Sequence, residues 1–444
     1  MFAGRRPLKS VIRMVLSFLS VLAIALTIAS LLMGFYLYFY VPMNMEIPLE
    51  PGPLESKHPY VVGWEDRLIL APSFPYAYLR IRNLTLEEGD VFFAKDMATG
   101  KVYEVDHNCT FSIIGPFEVN STGYLDILVN ITDDGDGQTG WGVLIDRLIT
   151  DIWVLNLFIT APIPGIPPFY VGVPAWGLAL VLQIVFAICF FLAFIEARGF
   201  HKAISESPDK PIGKCMENFL YAMPFVATGT LVGIIILTML VEAAGVSARP
   251  TWVLPGPILI MLEGSYAALV EELIFRLLFI GAILFIVAIS RLGRGTEGSG
   301  ADALKALFFP GWLRGDMKKA VRKAGWVLVL LSSLAFGLAH SLGGGWEMGK
   351  AITATIDGLV LGTCYLLYGI HASLLLHWFR NYYLTSWWAL AHATGSEGAL
   401  MAYIFVSLFN VVLGLLSLIM FFIQGIRLVM RKRAREGPMA WPYG

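Results

Sequence analysis

Apolar and polar positions occur along the chain in long blocks. A helix needs about 20 predominantly apolar residues to cross the hydrocarbon core of a bilayer, and eight runs are about that long or longer. They fall near 14–40, 171–195, 217–241, 254–290, 325–342, 350–368, 370–390 and 398–426. The pattern predicts a membrane all-α bundle of about eight transmembrane helices.

The segment 43–168 has a different pattern. Stretches such as "YAYLRIRNLTL" and "GYLDILVNIT" alternate apolar with polar residues and are interrupted by Gly, Asn and Asp. Alternation with a period of two is typical of half-buried strands, so we expect an inserted β-sandwich-like domain after the first helix. The predicted domains are a tail with the first membrane anchor (1–42), the β-rich domain (43–168), the transmembrane bundle (169–428) and a basic tail (429–444).

Composition and charge support a multi-pass protein of the cell membrane. The chain is 57% hydrophobic and only 15% charged, where soluble domains carry about 25% charged residues. Between positions 43 and 170 there are 18 acidic residues against 7 Lys or Arg, whereas both tails and the segments 198–214 and 291–324 are basic. By the positive-inside rule, both termini are cytoplasmic and the domain 43–168 is outside. The lipid bilayer is the expected environment, and no nucleic acid partner is expected.

The predicted outer domain carries further signals. Four Asn-x-Ser/Thr sequons are all found there, which fits N-glycosylation on the outer side, although a Thr-rich β-domain can contain them incidentally. An acidic turn at 131–140 could bind Ca²⁺ or be a plain turn. We expect this domain to recruit substrates or partners. The sequon asparagines are Asn83, Asn108, Asn120 and Asn130, and the turn carboxylates are Asp134 and Asp136.

Charged residues interrupt the apolar run "ALVEELIFRLLF" at 268–279. Each charge at mid-bilayer costs roughly 2.5–3.5 kcal/mol, so the three charges need a compensating role. Glu272 precedes Arg276 by four residues, the favourable order for an ion pair along one helix face. Glu271 is turned about 100° away and can face a different partner. One glutamate can thus be neutralised while the other stays available for chemistry.

Two later spans carry polar side chains at the same four-residue spacing. Phe336 precedes His340 in "FGLAH", and His377 precedes Asn381 in "HWFRN". Facing one bundle interior, a glutamate, two histidines and an asparagine form a water-activating site. Helix-rise arithmetic, with a break at 263–265, places His377 about 10 Å deeper toward the cytoplasm than Glu271. Two further histidines near predicted helix ends are expected at the membrane interface, namely His371 and His392.

The three strings "EELIFR", "FGLAH" and "HWFRN" resemble the EExxxR, FxxxH and HxxxN motifs of the CAAX prenyl protease 2 family. That family also includes lysostaphin-resistance-protein-A-like and other CPBP (Abi) membrane proteins. The motifs occur in the family's order, each on a predicted transmembrane helix, and the resemblance covers roughly 215–395. The chain departs from the pattern at Leu277, where many relatives carry Gly.

The resemblance implies an intramembrane endopeptidase that hydrolyses a peptide bond of membrane-associated protein or peptide substrates. Carried over residue by residue, Glu271 is the general base and His340 holds and polarises the water. His377 and Asn381 stabilise the tetrahedral oxyanion. Glu272, Arg276 and Phe336 then support the site structurally.

No cofactor is expected, because none of the motifs is HExxH, but zinc is an alternative. Glu271, His340 and His377 would form a two-His-one-carboxylate set with an open water position. Two non-proteolytic readings also remain open. A transporter could use the buried polar cluster as a proton relay, although no internal hydropathy repeat is visible. A receptor could use the outer domain for recognition, with the helices serving only as a membrane anchor.

Overall fold

The computed structural model divides the chain into two compact units, residues 38–178 and residues 1–37 with 179–444. The residues that the structure describes are 5–40, 44–49, 52–70, 76–106, 108–109, 112–120, 124–151, 154–159, 169–196, 199–250, 257–343 and 345–436. The end of the predicted basic tail, 437–444, and the start of the predicted span 254–290 lie outside these residues.

The first unit is β-rich, as the alternating pattern predicts. Its described strands are β1 (Asn44–Pro48), β2 (Leu54–Glu55), β3 (Glu65–Leu70), β4 (Tyr76–Thr85), β5 (Val91–Asp96), β6 (Val102–Val105), β7 (Ser112–Glu118), β8 (Leu125–Thr132), β9 (Gly142–Asp151), β10 (Val154–Ile159) and β11 (Phe169–Pro174). One antiparallel sheet has the order β1-β9-β4-β7, with β2 also paired to β9, and a second has the order β3-β8-β5-β6. Within the described ranges, β10 pairs only with β11.

The two larger sheets share one hydrophobic core. β5 and β8 alternate buried with half-buried positions along their lengths. Fully buried side chains come from both sheets, for example Leu79 and Ile145 from the first and Phe92 and Ile127 from the second. Side chains at every second position therefore fill the core, which confirms the predicted β-rich domain.

The second unit is helical. Its helices are α1 (Arg5–Tyr40), α2 (Ala175–Ile195), α3 (Phe200–Ser205), α4 (Ile212–Cys215), α5 (Phe219–Ala243), α6 (Pro257–Glu272), α7 (Ala282–Gly293), α8 (Gly300–Phe308), α9 (Gly315–Leu342), α10 (Gly349–Leu367), α11 (Ile370–Thr394) and α12 (Glu397–Glu436). A π-helical segment, Leu273–Gly281, joins α6 to α7, and a 3₁₀ turn, Pro310–Trp312, precedes α9.

Within the part of the chain that the structure describes, seven helices are long and apolar enough to cross a membrane, with α6, the π segment and α7 counted as one continuous element. α11 was predicted as an eighth span but is not among the seven. It is largely surrounded by protein: Ser386 meets Ser30 of α1, Tyr382 meets Gln183 of α2, and Asn381 meets α6. Because its neighbours cover much of α11, this helix can carry polar side chains that lipid would not tolerate.

The predicted break at 263–265 is wrong. α6 runs through these residues without interruption to Glu272, and the irregularity comes later, in the π segment. The carbonyl of Phe275 there accepts a hydrogen bond from the Ser332 hydroxyl of α9 (2.8 Å). Short π segments inside α-helices are frequent at functional sites, and this one begins directly after the two neighbouring glutamates.

Two glycines set the spacing of the helices around the site. A Cβ atom on Gly358 of α10 would lie 2.9 Å from the Cα of Ser333 on α9. A Cβ atom on Gly264 of α6 would lie 3.2 Å from the Cβ of Asn381 on α11. Backbones approach this closely only where a side chain is missing, so α9 packs tightly on α10 and α6 on α11.

Candidate active site

Glu272 is a fully buried carboxylate with three polar partners. Arg276 lies one turn further along, with Nη1 3.2 Å from Oε1 of Glu272. The Ser373 hydroxyl donates to the other carboxylate oxygen, and Nδ1 of His377 lies 2.8 Å from Oε1. The predicted Glu272–Arg276 ion pair is therefore present, and the carboxylate is also bonded to α11.

Arg276 is held on three sides. Its side chain is 1% exposed, Nη2 lies 3.5 Å from the Gly358 carbonyl, and the guanidinium lies 4.5 Å above the Phe336 ring. A desolvated cation over an aromatic face gains about 2 kcal/mol. Phe336 also packs edge-on against His340, with ring centroids 4.6 Å apart. It thus links the buried ion pair to the histidine of the second motif.

Glu271 differs from its neighbour in having no Lys or Arg within ion-pair distance among the described residues. Its side chain is 26% exposed, and its two oxygens face two imidazoles: Nε2 of His340 at 3.9 Å and Nε2 of His377 at 3.5 Å. These separations are longer than a good hydrogen bond. Glu271 is therefore a part-exposed carboxylate with one nitrogen of each imidazole facing it.

Each of the two histidine rings is oriented by a contact at its Nδ1 atom. Nδ1 of His340 donates to the Phe336 carbonyl (2.9 Å), because that oxygen can only accept. Nδ1 of His377 pairs with the Glu272 carboxylate at 2.8 Å. In each ring, Nε2 is the nitrogen left for a water or a substrate. The sequence predicted that these groups would meet, and the structure brings Glu271, His340 and His377 together.

Asn381 lies one turn beyond His377 on α11, on the side that faces the middle of α6. Its Nδ2 donates to the Gly264 carbonyl (3.1 Å), which occupies one of its two N–H groups. No contact of Asn381 with Glu271 is found among the described residues. The structure therefore places the fourth predicted residue beside the cluster, with one amide hydrogen still available.

The predicted 10 Å offset between Glu271 and His377 is wrong, since 3.5 Å separates them. The arithmetic assumed that α11 starts at the membrane surface. Residues 370–379 are all buried, and a Cβ on the preceding Gly369 would lie 2.7 Å from the Phe309 ring. α11 begins inside the protein, against Phe309 in the segment that follows α8, so the first residue of this helix does not mark the membrane surface.

His371 was predicted at the membrane interface, but it is buried. Its Nε2 lies 2.7 Å from Oε2 of Glu196, and both side chains are 1% exposed. Glu196 also accepts the backbone N–H of Phe219 at the start of α5 (2.7 Å). A partner 175 positions away could not be found from local spacing. His392 is exposed, consistent with its expected place near a helix end.

The other predicted residues lie in the β-rich unit. Asn83, Asn120 and Asn130 are half-buried and Asn108 is exposed, its Oδ1 accepting the backbone N–H of Leu86. Among the described residues, three or more metal-type donors converge within 4.8 Å in two acidic clusters of this unit. These clusters are Glu87, Asp90 and Asp134, and Asp133, Asp134 and Asp136. The alternative zinc set Glu271, His340 and His377 does not converge in this way.

Sequence reasoning missed Ser373, although it lies four residues before His377, on the same face of α11. It also missed Arg380, whose guanidinium pairs with Asp357 of α10, and Lys350 in the first turn of α10. All three are polar residues in apolar helices. That signal, the one that drew attention to Glu271, would have found them.

Comparison with known proteins agrees with the motifs. Residues 252–383 match the family model described as type II CAAX prenyl endopeptidase, Rce1-like. The matched segment includes all three motifs and lies inside the predicted family-like region 215–395, and the outer unit is not part of it. No curated protein matches the chain. The segment that carries the three motifs is thus similar to the Rce1-like type II CAAX prenyl endopeptidase family.

Proposed function

We propose that this protein hydrolyses a peptide bond of membrane-associated protein or peptide substrates with a water molecule activated by Glu271. The observation that carries the proposal is the contrast between the two glutamates. Glu272 is enclosed by Arg276, Ser373 and His377. Glu271 is part-exposed and faces two imidazole Nε2 atoms. A general base needs the second environment, because it must reach a water and accept its proton.

The proposed first step begins with a water between Glu271 and His340. The 3.9 Å separation of Oε1 from Nε2 leaves room for the water to lie beside both atoms. Glu271 takes one proton while the water oxygen attacks the peptide carbonyl carbon, which gives a tetrahedral oxyanion. When the C–N bond breaks, the proton held by Glu271 passes to the leaving nitrogen. The products are a carboxylic acid and an amine, and Glu271 returns to its ionised form.

The oxyanion would be stabilised by His377 and Asn381. Nε2 of His377 can donate when the ring carries two protons, and the Glu272 carboxylate on Nδ1 supplies the countercharge. Asn381 would use the N–H that does not bond to Gly264. One preorganised donor to an oxyanion typically contributes about 2.7–4 kcal/mol to transition-state stabilisation.

The zinc version of the reaction is the second candidate, because both imidazoles direct a free Nε2 toward Glu271 and both are oriented through Nδ1, as metal ligands usually are. His340, His377 and Glu271 would hold the ion, which would acidify its bound water. We favour the metal-free version, since these three donors do not converge within 4.8 Å.

The orientation and the outer unit complete the proposal. The distribution of Lys and Arg and the four sequons support cytoplasmic termini and an extracytoplasmic position for 43–168. Its β-rich fold contains none of the catalytic candidates, which supports a role in recruiting substrates or partners. A receptor would instead leave the arrangement of Glu271 between two oriented histidines without a task, and a transporter is disfavoured because no internal hydropathy repeat is visible.

The test is peptide hydrolysis by the purified full-length protein in lipid vesicles. Wild type should cleave a fluorogenic membrane-anchored peptide, and Glu271→Gln should not. Glu263→Gln is the matched control, because it is the same substitution on an exposed residue of the same helix. Activity that survives chelation and dialysis favours the metal-free version; loss that zinc restores favours the other. Full activity of Glu271→Gln would refute the proposal.

A further inference from the structure

A cavity of about 2010 Å³ opens at one end of the helical unit, and none of the catalytic candidates lines it. Its walls include the ends of three helices that are long enough to cross a membrane. These ends are Ile195 of α2, Arg291 in the last turn of α7, and Leu367 of α10. A spanning helix ends where the hydrocarbon core gives way to the lipid headgroups. The cavity therefore lies at the level of the headgroups.

Close backbone packing brings the end of α7 and the start of α9 to this cavity. The turn that joins α7 to α8 lies against both segments. A Cβ atom on Gly298 of this turn would lie 3.0 Å from Cδ2 of Leu292 and 3.7 Å from Cε of Met317. The 3₁₀ turn before α9 is fixed against α10, because a Cβ atom on Gly311 would overlap with the Leu367 carbonyl. The charged residues of both segments thus face one space.

Most acidic side chains of the cavity are already neutralised. Four of them have a lysine or histidine partner at 2.7–2.8 Å. These pairs are Asp302 with Lys305, Asp316 with Lys319, Glu217 with Lys214, and Glu196 with His371. Among the described residues of the lining, Glu297 is the one acid without such a partner.

Four cations of the lining have no acidic partner among the described residues. These unpaired cations are Arg291, Arg294, Arg314 and Lys318. The three arginines are exposed, and the Lys318 ammonium donates to the neutral carbonyl of Gly311 (3.0 Å). Unpaired positive charges thus outnumber unpaired negative charges by four to one in the described lining. A cavity with this balance attracts an anion.

An aromatic surface borders the unpaired cations. Trp312 lines the cavity and is 42% exposed, and its ring stacks on Phe309 with centroids 4.3 Å apart. Leu304 of the preceding helix α8 is 54% exposed. Tryptophan is enriched at membrane–water interfaces, where its ring lies between apolar chains and polar headgroups. The ligand that fits this surface has an anionic head next to an apolar part.

We propose that the four unpaired cations bind the phosphate group of an anionic phospholipid of the surrounding bilayer. Arginine suits this ligand, because its planar guanidinium can donate two parallel hydrogen bonds to phosphate oxygens. Trp312 would contact the lipid where the headgroup meets the acyl chains. The site is separate from the proposed hydrolysis. A soluble phosphate compound offers the same chemistry, and the experiment separates the two sources.

The experiment measures lipid binding by the purified full-length protein in detergent micelles, with native mass spectrometry as the readout. The probes are phosphatidylglycerol and phosphatidylcholine. Wild type should prefer phosphatidylglycerol, because choline carries a cation that compensates the phosphate charge. Each cation near an anionic lipid contributes roughly fivefold to affinity, so Arg291→Gln with Arg294→Gln should weaken phosphatidylglycerol binding roughly 25-fold. Binding of phosphatidylcholine should change little. Arg291→Lys with Arg294→Lys keeps both charges and should keep the preference.

The matched control is Lys319→Gln with Lys323→Gln. It removes the same net charge from the first turns of α9, but neither lysine lines the cavity. Lys319 is 81% exposed and Lys323 is also exposed. The control variant should therefore bind phosphatidylglycerol as wild type does. Should the arginine-to-glutamine variant fail to fold, Arg314→Gln with Lys318→Gln makes the same test from the other wall and should show the same loss.

Three results would overturn the inference. One is equal affinity of wild type for the two lipids. Another is an equal loss in the cavity variant and in the control variant, which assigns lipid attraction to the general positive potential at this end of the bundle. The third is binding of inorganic phosphate as tight as that of phosphatidylglycerol, which assigns the cavity to a soluble phosphate compound. None of these results bears on the proposed peptidase function, because the readout is lipid binding alone.

Discussion

Nδ1 of His377 lies 2.8 Å from the buried carboxylate of Glu272, while the opposite nitrogen of the same ring faces Glu271 at 3.5 Å. One imidazole thus connects two adjacent glutamates in different environments. The Glu272 carboxylate orients the ring through Nδ1. Glu271 faces Nε2, the nitrogen that is free to contact water or substrate. The different consequences of changing each glutamate follow from this arrangement.

Glu271→Gln should lower turnover on the order of 10²–10⁴-fold, the usual contribution of a positioned general base. The amide keeps the shape of the side chain but cannot accept a proton from water. Stability should change little, because Glu271 is part-exposed and, among the described residues, no Lys or Arg lies within ion-pair distance of it. Turnover in vesicles and thermal melts in detergent measure the two effects separately.

Glu272→Gln should act first on stability. It leaves Arg276, 1% exposed, without its carboxylate, and breaking a buried pair from one side costs roughly 3–5 kcal/mol. The double variant Glu272→Gln with Arg276→Met should recover part of that loss, because it removes the unpaired charge as well. Thermal melts of the single and double variants decide this.

A stable Glu272→Gln protein without turnover, together with an unfolded Glu271→Gln protein, would mean that the two roles are reversed. An intermediate result is also informative. If Glu272→Gln folds and keeps a reduced turnover, the decrease in turnover measures how much catalysis depends on the orientation of His377. The Glu272 carboxylate sets that orientation through its contact with Nδ1.

Gly264→Ala should disturb Asn381 without unfolding the helix. The new methyl group would lie 3.2 Å from the Cβ of Asn381, so α11 must shift by a few tenths of an ångström. Because a displacement of 1 Å can cost about 10²-fold in rate, we expect a loss of about 3–10-fold. Gly233→Ala is the control, since its methyl group would meet only Leu418 at 3.7 Å. Equal turnover of the two variants would exclude a role for the position of Asn381.

Part of this site could be predicted because a helix repeats every 3.6 residues. Glu272 with Arg276, and Phe336 with His340, are local pairs that the chain sets by spacing alone. The contact between Glu196 and His371 depends on how α2 meets α11, and no local pattern encodes it. The π segment was also missed: "LIFRLLFIG" is apolar enough for either helix type, and its geometry depends on contacts such as Ser332 with the Phe275 carbonyl.

The β-rich unit should lose stability in acid through the pair of Arg80 and Asp146. Two hydrogen bonds from Arg80, 2.9 and 2.6 Å long, hold the pKa of Asp146 below its usual range. Such a carboxylate stabilises the fold above its unfolded pKa of about 3.9, and this contribution is lost as the pH falls through the lower folded value. Arg80→Gln should therefore weaken the protection of the β4 and β9 backbone amides against hydrogen exchange near neutral pH. In this variant, the protection should also fall less as the pH is lowered. Hydrogen exchange measures this, with Arg67→Gln, which changes a more exposed pair, as the control.

The topology can be tested with two introduced cysteines. Ala98 lies exposed in the turn after β5, and Lys319 is exposed in the first turns of α9. The native Cys189, Cys215 and Cys364 are buried, so a Cys109→Ser background should give little labelling by itself. A membrane-impermeant maleimide added to intact cells should modify Ala98→Cys and should reach Lys319→Cys only after permeabilisation. The proposed orientation requires this result because the basic loop 291–324 then lies inside and the sequons lie outside. Labelling of Lys319→Cys alone in intact cells would invert the scheme, and the acidic β-rich unit would then face the cytoplasm.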